Sequence, residues 1–323
     1  MALLPGHDDI VRFLARNYRL SWSLVLAAVA AEIFRRRGNI LHSRTISELM
    51  VPMTSRSLFR TVAVGAVLMM PTASALAASC GTGSFEAWLT DFKNEAAAKG
   101  ISQSAIASGL TGVMLDQAVL SRDRSQRVFS QSFEEFSGRM IPPRLTRGAT
   151  MMKQYGSVLA RIEQSYGVPG EGLVAIWGLE TDFGANIGKF PTMRALATLA
   201  YDCRRSDRFR AELMDALRIV ERGDLAPSEM RGAWAGELGQ TQFMPSSYIK
   251  FAVDFDKNGR RDLLHSAPDV LASTANYLAG YGWQRGKNWE PGGANFAVLQ
   301  QWNKSEVYAR TVASFASQLT RAP

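Results

Sequence analysis

Apolar residues recur with a helical period along most of the chain after Ser84. The first such stretch has Phe85, Trp88, Leu89 and Phe92 at positions i, i+3, i+4 and i+7, the spacing of one helix face. A stripe of this kind is most simply the side of a helix that packs against a core. The sequence therefore predicts a helix that begins soon after Ser84.

The same pattern continues through three more stretches, and the pair Pro142-Pro143 interrupts it. These stretches cover residues 101–110, 128–136 and 151–166. No run of alternating apolar and polar residues recurs, so nothing in the chain predicts a large sheet. The fold class is predicted as mainly α, with a subdomain boundary at the two prolines.

Charge and composition narrow the chemistry. The 323-residue chain has a formal charge of +8, but residues 1–79 hold nine of its 37 basic residues and only four of its 29 acidic residues. The remainder carries about +3, which argues against a nucleic-acid partner. With three histidines and two cysteines, the usual zinc ligand sets are excluded. We therefore expect chemistry that runs on carboxylates.

Residues 53–79 have the three parts of a secretory signal peptide: the basic residues Arg56 and Arg60, an apolar stretch, and small residues at a cleavage site. We predict that the true start is Met53 or Met50, and that residues 1–52 are an over-extended reading frame. Residues 80–323 are then the catalytic region. The alternative is a cytoplasmic protein with an apolar leader.

Export would bring the only two cysteines, Cys80 and Cys203, into an oxidising compartment where they can pair. Cys80 also follows small residues that are similar to a lipoprotein cleavage site, although the usual leucine is displaced to Leu76. We expect the disulfide, with a lipid anchor at Cys80 as the alternative.

An almost wholly apolar helix is predicted between Pro169 and Gly184, and it contains Glu180. Ile176 and Trp177 share the face of Glu180 one turn back. Burial among apolar side chains should raise the pKa of this carboxyl, which suits a general acid near neutral pH. The alternative is a helix-terminal glutamate held in a structural hydrogen bond.

Residues 232–248 combine small residues, aromatic residues and the two amides Gln240 and Gln242. Neutral amides beside aromatic faces suit a sugar, which needs hydrogen bonds at its edges and apolar contact on its faces. A tightly packed glycine-rich turn is the alternative interpretation.

Residues 254–262 follow the spacing of an EF-hand-like calcium loop, with Gly259 at the sixth position. His265 stands where a bidentate glutamate is expected, and Asp269 could substitute for it. We predict a structural calcium ion and no catalytic cofactor; an Asp-rich turn without a ligand is the alternative. The predicted ligands are Asp254, Asp256, Asn258, the Arg260 carbonyl, Asp262 and Asp269.

Several longer motifs follow one another in order from residue 166 to residue 309. They are YGVP at 166–169, GLET at 178–181, LATLAYDCRR at 196–205, AGELGQTQFMPSSY at 235–248, AVDFDKNGRRDL at 252–263, ANYLAGYGW at 275–283 and WNKSEVYA at 302–309. On these motifs the chain resembles the lytic murein transglycosylase B family, glycoside hydrolase family 103, from about residue 84 onward.

The resemblance implies a lysozyme-like α-helical core at about residues 155–285, against which N- and C-terminal helical segments pack. It implies a monomeric enzyme of the Gram-negative periplasm that acts on peptidoglycan glycan strands, with cell-wall synthesis or divisome proteins as further partners. The implied reaction cleaves the β-1,4 bond between N-acetylmuramic acid and N-acetylglucosamine without water. Glu180 would be its single acid and base, and a 1,6-anhydromuramic end its product.

The resemblance also implies substrate-binding residues along the glycan groove. Trp302 stands where relatives carry Tyr, Ala233 where some carry Ser, and Tyr308 corresponds to a tyrosine near the acid. The basic residues Arg204 and Arg205 could bind the acidic stem peptide of the substrate. The implied set is Gln242, Phe243, Tyr277, Trp302, Asn303, Tyr308, Arg204 and Arg205.

Two other functions compete with this interpretation. A muramidase that uses water needs a second carboxylate, and Asp182 and Glu237 are the nearest in sequence to the proposed site. A non-catalytic wall-binding protein would keep Glu180 for structure alone.

Overall fold

The computed structural model describes residues 80–81, 83–125 and 131–321. The predicted leader at 1–79, and part of the predicted stretch at 128–136, lie outside the described residues. Within them the chain forms thirteen helices and one two-stranded sheet, so the prediction of a mainly α protein is confirmed.

The helices are defined here in chain order. They are α1 (Phe85–Ala98), α2 (Gln103–Leu110), α3 (Gln117–Arg124), α4 (Phe133–Met140), α5 (Pro142–Gln154), α6 (Gly156–Tyr166), α7 (Gly170–Thr181), α8 (Thr192–Tyr201), α9 (Ser206–Glu221), α10 (Pro245–Phe251), α11 (Ala267–Gly280), α12 (Phe296–Trp302) and α13 (Glu306–Arg321). The two strands are β1 (Phe190–Pro191) and β2 (Arg231–Gly232), which pair antiparallel.

Local sequence explains several helix starts. Side chains of Ser84, Ser102, Asp116 and Ser266 accept hydrogen bonds from backbone N–H groups of the first turns that follow them. The prolines at 142 and 143 lie inside one compact unit and not at a subdomain boundary. They begin α5, where the missing N–H group of proline costs no helical hydrogen bond. The predicted helix at 151–166 is in fact divided at Tyr155 between α5 and α6.

Helix α7 lies at the centre of the packing. Ten of its twelve residues are buried, and α5, α6, α11 and α13 all pack against it. Gly178 allows the closest approach, since a Cβ there would lie 2.8 Å from the Phe183 ring and 3.1 Å from the Phe315 ring. The apolar sequence of α7 is therefore explained by contact on nearly every face.

The β1–β2 pair and the loop after it lie next to the end of α7. Only glycine fits at position 232, because a Cβ there would lie 1.7 Å from the Glu237 carbonyl oxygen. A second short pairing joins Leu238 to Phe243. Residues 232–243 are thus folded tightly back on themselves, as the glycine-rich turn interpretation expected.

Cys80 and Cys203 form a disulfide that joins residues 123 positions apart. It ties the start of the described chain to the turn between α8 and α9. Two hydrogen bonds support it, from the Gly81 N–H to the Tyr201 carbonyl at 3.0 Å and from the Tyr201 hydroxyl to the Gly83 carbonyl at 2.9 Å.

Replacing both cysteines, as Cys80→Ser with Cys203→Ser, should lower the free energy of unfolding by about 2–5 kcal/mol, because a long loop in the unfolded chain is no longer closed. Chemical denaturation of the double variant measures this loss, and reduced wild-type protein is the matched control. Equal denaturation midpoints for the oxidised protein and the double variant would contradict the prediction.

Candidate active site

Glu180 is the last residue but one of α7, where the helix meets the surface. Its neighbours in the helix are buried, but its own side chain is half-buried. The chain then turns sharply, because Asp182 and Phe183 both have positive φ angles, of 51° and 57°. Thr181 holds this turn, since its hydroxyl donates to the Gln240 carbonyl at 2.5 Å and accepts from the Gly184 N–H at 3.0 Å.

Two side chains donate to one oxygen of Glu180. The indole N–H of Trp302 lies 2.8 Å from Oε1, and the Tyr308 hydroxyl lies 2.6 Å from the same atom. Trp302 ends α12 and Tyr308 lies in the first turn of α13. No described residue donates a hydrogen bond to Oε2.

Burial is the largest influence on the carboxyl, and it raises the pKa of Glu180. The hydrogen bonds from Tyr308 and Trp302 favour the charged form and oppose this rise, whereas the negative charge of Glu237 adds to it. Burial also raises the pKa of Tyr308, which keeps its hydroxyl a donor. Burial thus shifts the pKa of Glu180 in the direction that suits a general acid.

Glu237 is a second carboxyl close enough to act on the first. Its Oε2 accepts from the Ala235 N–H at 3.0 Å, and burial raises the pKa of Glu237 as well. The positive charges of Arg208 and Arg205 oppose that rise. Asp182, the other carboxylate considered, is instead paired with Arg144 at 2.7 Å.

An aromatic cleft of about 380 Å³ adjoins this carboxyl through Trp302. The rings of Phe243, Tyr277 and Trp302 meet edge to face, with centroids 4.9 to 5.9 Å apart. The cleft also has charged walls. Its lining consists of Arg208, Glu212, Gln242, Phe243, Met244, Ser246, Ser247, Tyr277, Gln301, Trp302 and Lys304.

Comparisons with known proteins identify the family of this chain. Residues 84–292 match the family described as "Transglycosylase SLT domain". The chain belongs to this family. A curated relative, the membrane-bound lytic murein transglycosylase B of Escherichia coli K12, is 39% identical over 148 residues. That match covers 46% of this chain and 41% of the relative, so the chain spans about two fifths of the length of the curated relative it matches.

Solved structures of similar proteins cover more of the chain. SltB3 from Pseudomonas aeruginosa, in complex with NAG-NAM-pentapeptide, has 31% identity and a TM-score of 0.71 over 74% of this chain and 80% of its own. Slt35 from Escherichia coli, in complex with calcium, has 25% identity and a TM-score of 0.65 over 72% and 92%. These matches confirm the predicted lysozyme-like helical fold.

The two amides predicted for sugar binding are occupied by the backbone of this transglycosylase-family domain. Both N–H bonds of the Gln242 amide are used, toward the Ile187 and Gly239 carbonyls, and its oxygen accepts from the Ala233 N–H. Gln240 is buried and joins the Trp177 indole to the Leu264 carbonyl. Gln242 therefore lines the cleft without a free donor.

Other predicted groove residues are also engaged. The Tyr277 hydroxyl donates to the Gln301 carbonyl at 2.9 Å, which leaves its ring face toward the aromatic cluster. The Asn303 side-chain oxygen accepts from the Ser305 N–H at 3.0 Å, at the start of α13. Trp302, which the resemblance implies as a substrate-binding residue, uses its indole N–H to bind Glu180. Because tryptophan is mainly apolar, nothing in the sequence indicates this hydrogen bond.

Arg204 and Arg205 bind a carboxylate of the protein itself. Both pair with Asp123 of α3, whose side chain is 2% exposed. Arg204 also donates to the Asp123 backbone carbonyl at 2.8 Å. The basic pair thus bridges α3 to the turn that carries the disulfide, and Arg208 is the arginine that lines the cleft.

Three of the four aspartates predicted as ligands lie together at the acidic loop. Carboxylate oxygens of Asp254, Asp256 and Asp269 lie within 4.8 Å of one another. The Asn258 side-chain oxygen accepts from the Arg260 N–H, and Asp262 lies outside the cluster, where it accepts from the Leu264 and His265 N–H groups. Asp269 is fully buried, and this burial raises the pKa of its carboxyl. A hard cation with oxygen ligands fits this cluster.

We predict that Arg204→Ala lowers the thermal midpoint and leaves the affinity for peptide-bearing glycan fragments unchanged, because Arg204 holds Asp123 rather than the cleft. Arg208→Ala, the matched control, should weaken fragment binding with little change in the midpoint. Scanning calorimetry and calorimetric titration measure the two effects. If Arg204→Ala bound the fragments more weakly at an unchanged thermal midpoint, Arg204 would be a substrate-binding residue and the prediction would be wrong.

Proposed function

We propose that this protein is a lytic transglycosylase that cleaves the β-1,4 bond between N-acetylmuramic acid and N-acetylglucosamine in peptidoglycan. The observation that carries the proposal is Glu180, a half-buried carboxyl with one oxygen held by two donors beside an aromatic cleft. The name of the Escherichia coli relative and the glycopeptide bound to SltB3 support the substrate class.

In the proposed mechanism Glu180 acts twice. Protonated at first, it gives its proton to the glycosidic oxygen as the bond from C1 to that oxygen breaks. The muramoyl C6 hydroxyl oxygen then bonds to C1, and its proton returns to Glu180. One carboxyl suffices because the nucleophile belongs to the substrate, whereas ordinary glycosidases need two carboxylates.

Hydrolysis is the second candidate, because Glu237 is near enough to Glu180 to raise its pKa. A carboxylate on the far side of the sugar could activate water, which would give reducing ends instead of anhydro ends. Asp182 is a weaker candidate for this role, since Arg144 and Asn186 both bind its carboxylate.

Purified peptidoglycan digested with the protein should release muropeptides with 1,6-anhydro ends, which mass spectrometry detects as one water lighter than reducing ends. Glu180→Gln should fold normally, because the amide oxygen can still accept from Trp302 and Tyr308. Its rate should fall at least about a hundredfold, because the amide cannot donate the catalytic proton.

The control is Asp182→Asn, which changes a nearby carboxylate outside the proposed chemistry. Reducing ends that disappear in Glu237→Gln would establish a muramidase. The absence of any product from folded wild-type protein would favour the wall-binding function.

We also propose that the cluster of Asp254, Asp256 and Asp269 holds a structural calcium ion. The loop has the EF-hand-like spacing, with Gly259 at φ 92° in its sixth position, and Slt35 was solved with calcium. Calcium there would clamp the loop between α10 and α11 and take no part in the reaction.

Removal of calcium with a chelator should lower the melting midpoint, and added calcium should restore it, because the ion binds only the folded loop. Asp254→Ala should abolish this response. Asp262→Asn is the matched control, since Asp262 caps the next turn outside the cluster, and it should keep the response. Differential scanning fluorimetry measures all three, and a calcium-independent wild type would reject the site.

We propose that the protein is exported to the periplasm without a lipid at Cys80. The Cys80 sulfur is bonded to Cys203, and a lipid thioether would need the same atom. In the part of the chain that the structure describes, no helix has the length and apolar character to cross a bilayer. The signal peptide, the core boundaries at about 155–285, the monomeric state and the cell-wall synthesis or divisome partners stay predictions.

A further inference from the structure

We propose that Trp302 is a positioning residue that fixes which oxygen of Glu180 carries the catalytic proton. Its indole N–H and the Tyr308 hydroxyl both bind Oε1, which leaves Oε2 as the oxygen that gives and receives the proton. This inference rests on the proposed function of Glu180.

The direction of the Trp302 hydrogen bond cannot reverse. An indole nitrogen is a donor only, so Oε1 must be the acceptor whether Glu180 is charged or neutral. In a neutral carboxyl the carbonyl oxygen is the better acceptor, and two donors on one oxygen select it as the carbonyl. A tyrosine at position 302 could instead accept a proton from Oε1.

The indole is held firmly in this orientation. The ring of Trp302 packs against Tyr277 at 4.9 Å and against Phe243 at 5.5 Å between centroids, at angles of 75° and 72°. Tyr277 is itself tied to the Gln301 carbonyl, one residue before Trp302. The cluster thus sets the donor before substrate arrives, and preorganised donors are the effective ones.

The acid is oriented from α12 and α13, by residues 122 and 128 positions away in the chain.

The electrostatic consequence has a definite sign. Trp302 and Tyr308 favour charged Glu180, whereas burial and Glu237 oppose the charge. Nearby, Arg144 of α5 is paired with Asp182, and Arg205 and Arg208 of the α9 side act on Glu237. Removing the indole donor alone should therefore raise the pKa of Glu180 further.

Activity that needs protonated Glu180 is lost as pH rises through its pKa. Trp302→Phe should therefore move the alkaline limb of the pH–rate profile to higher pH. It should also lower kcat about tenfold, because the carboxylate formed in the reaction loses a donor, with KM changed less. Trp289→Phe, which removes an indole bonded to Ser317, is the matched control and should leave the profile unchanged.

A direct titration separates this inference from the proposed function. Side-chain ¹³C NMR of labelled glutamate, with the Glu180 signal identified by its loss in Glu180→Gln, reports the carboxyl pKa without any turnover. A pKa that is higher in Trp302→Phe than in wild type supports the inference even if peptidoglycan is not cleaved. An unchanged or lowered pKa overturns it even if transglycosylation is established.

A second measurement needs no variant of Trp302. In the wild-type protein the Trp302 indole proton signal should shift with the titration of Glu180, and this shift should vanish in Glu180→Gln. An indole signal that does not change as Glu180 titrates overturns the inference. The inference can therefore be tested even if the Trp302→Phe variant folds poorly.

Discussion

The site depends on the partial burial of one ionisable carboxyl at the end of an apolar helix. Nearly every face of α7 is covered by α5, α6, α11 and α13, and Glu180 is placed at the point where that cover ends. Taking a carboxylate out of water is costly unless hydrogen bonds compensate. A buried carboxyl therefore keeps its proton to a higher pH than an exposed one. The donors from α12 and α13 set how far this goes, because they stabilise the charged form without supplying a positive charge.

The polar residues around this carboxyl mostly serve the backbone. Within the loop at 232–243 the Gln242 amide binds the Ala233 N–H and the Gly239 carbonyl. Outside the loop, the Gln242 and Gln240 amides bind the Ile187 and Leu264 carbonyls. Buried backbone groups need such partners. The same logic explains Arg204 and Arg205, which join α3 to the α8–α9 turn through Asp123. Residues that the sequence suggests as substrate ligands thus stabilise the protein's own loops and helices.

Local patterns predicted much of this structure, and distant contacts did not follow from them. The period of apolar residues located α1 and α2, and the apolar run between Pro169 and Gly184 located α7 and its acid. The spacing of the acidic loop brought out three carboxylates that cluster. The Asp123 pairing and the Trp302 hydrogen bond join residues 81 and 122 positions apart. No periodicity specifies such pairs, because tertiary packing alone decides which side chains meet.

The extent of the site in the chain also follows from these contacts. The matched family domain ends at residue 292, and the predicted core ends at about 285, yet both donors to Glu180 come later, at 302 and 308. Helix α13 returns across α7 and buries Phe315 against Gly178, so the packing that holds the core also brings Tyr308 to the acid. A fragment that ended at residue 292 would keep the carboxyl and lose the groups that orient it. The C-terminal helices are therefore part of the proposed active site.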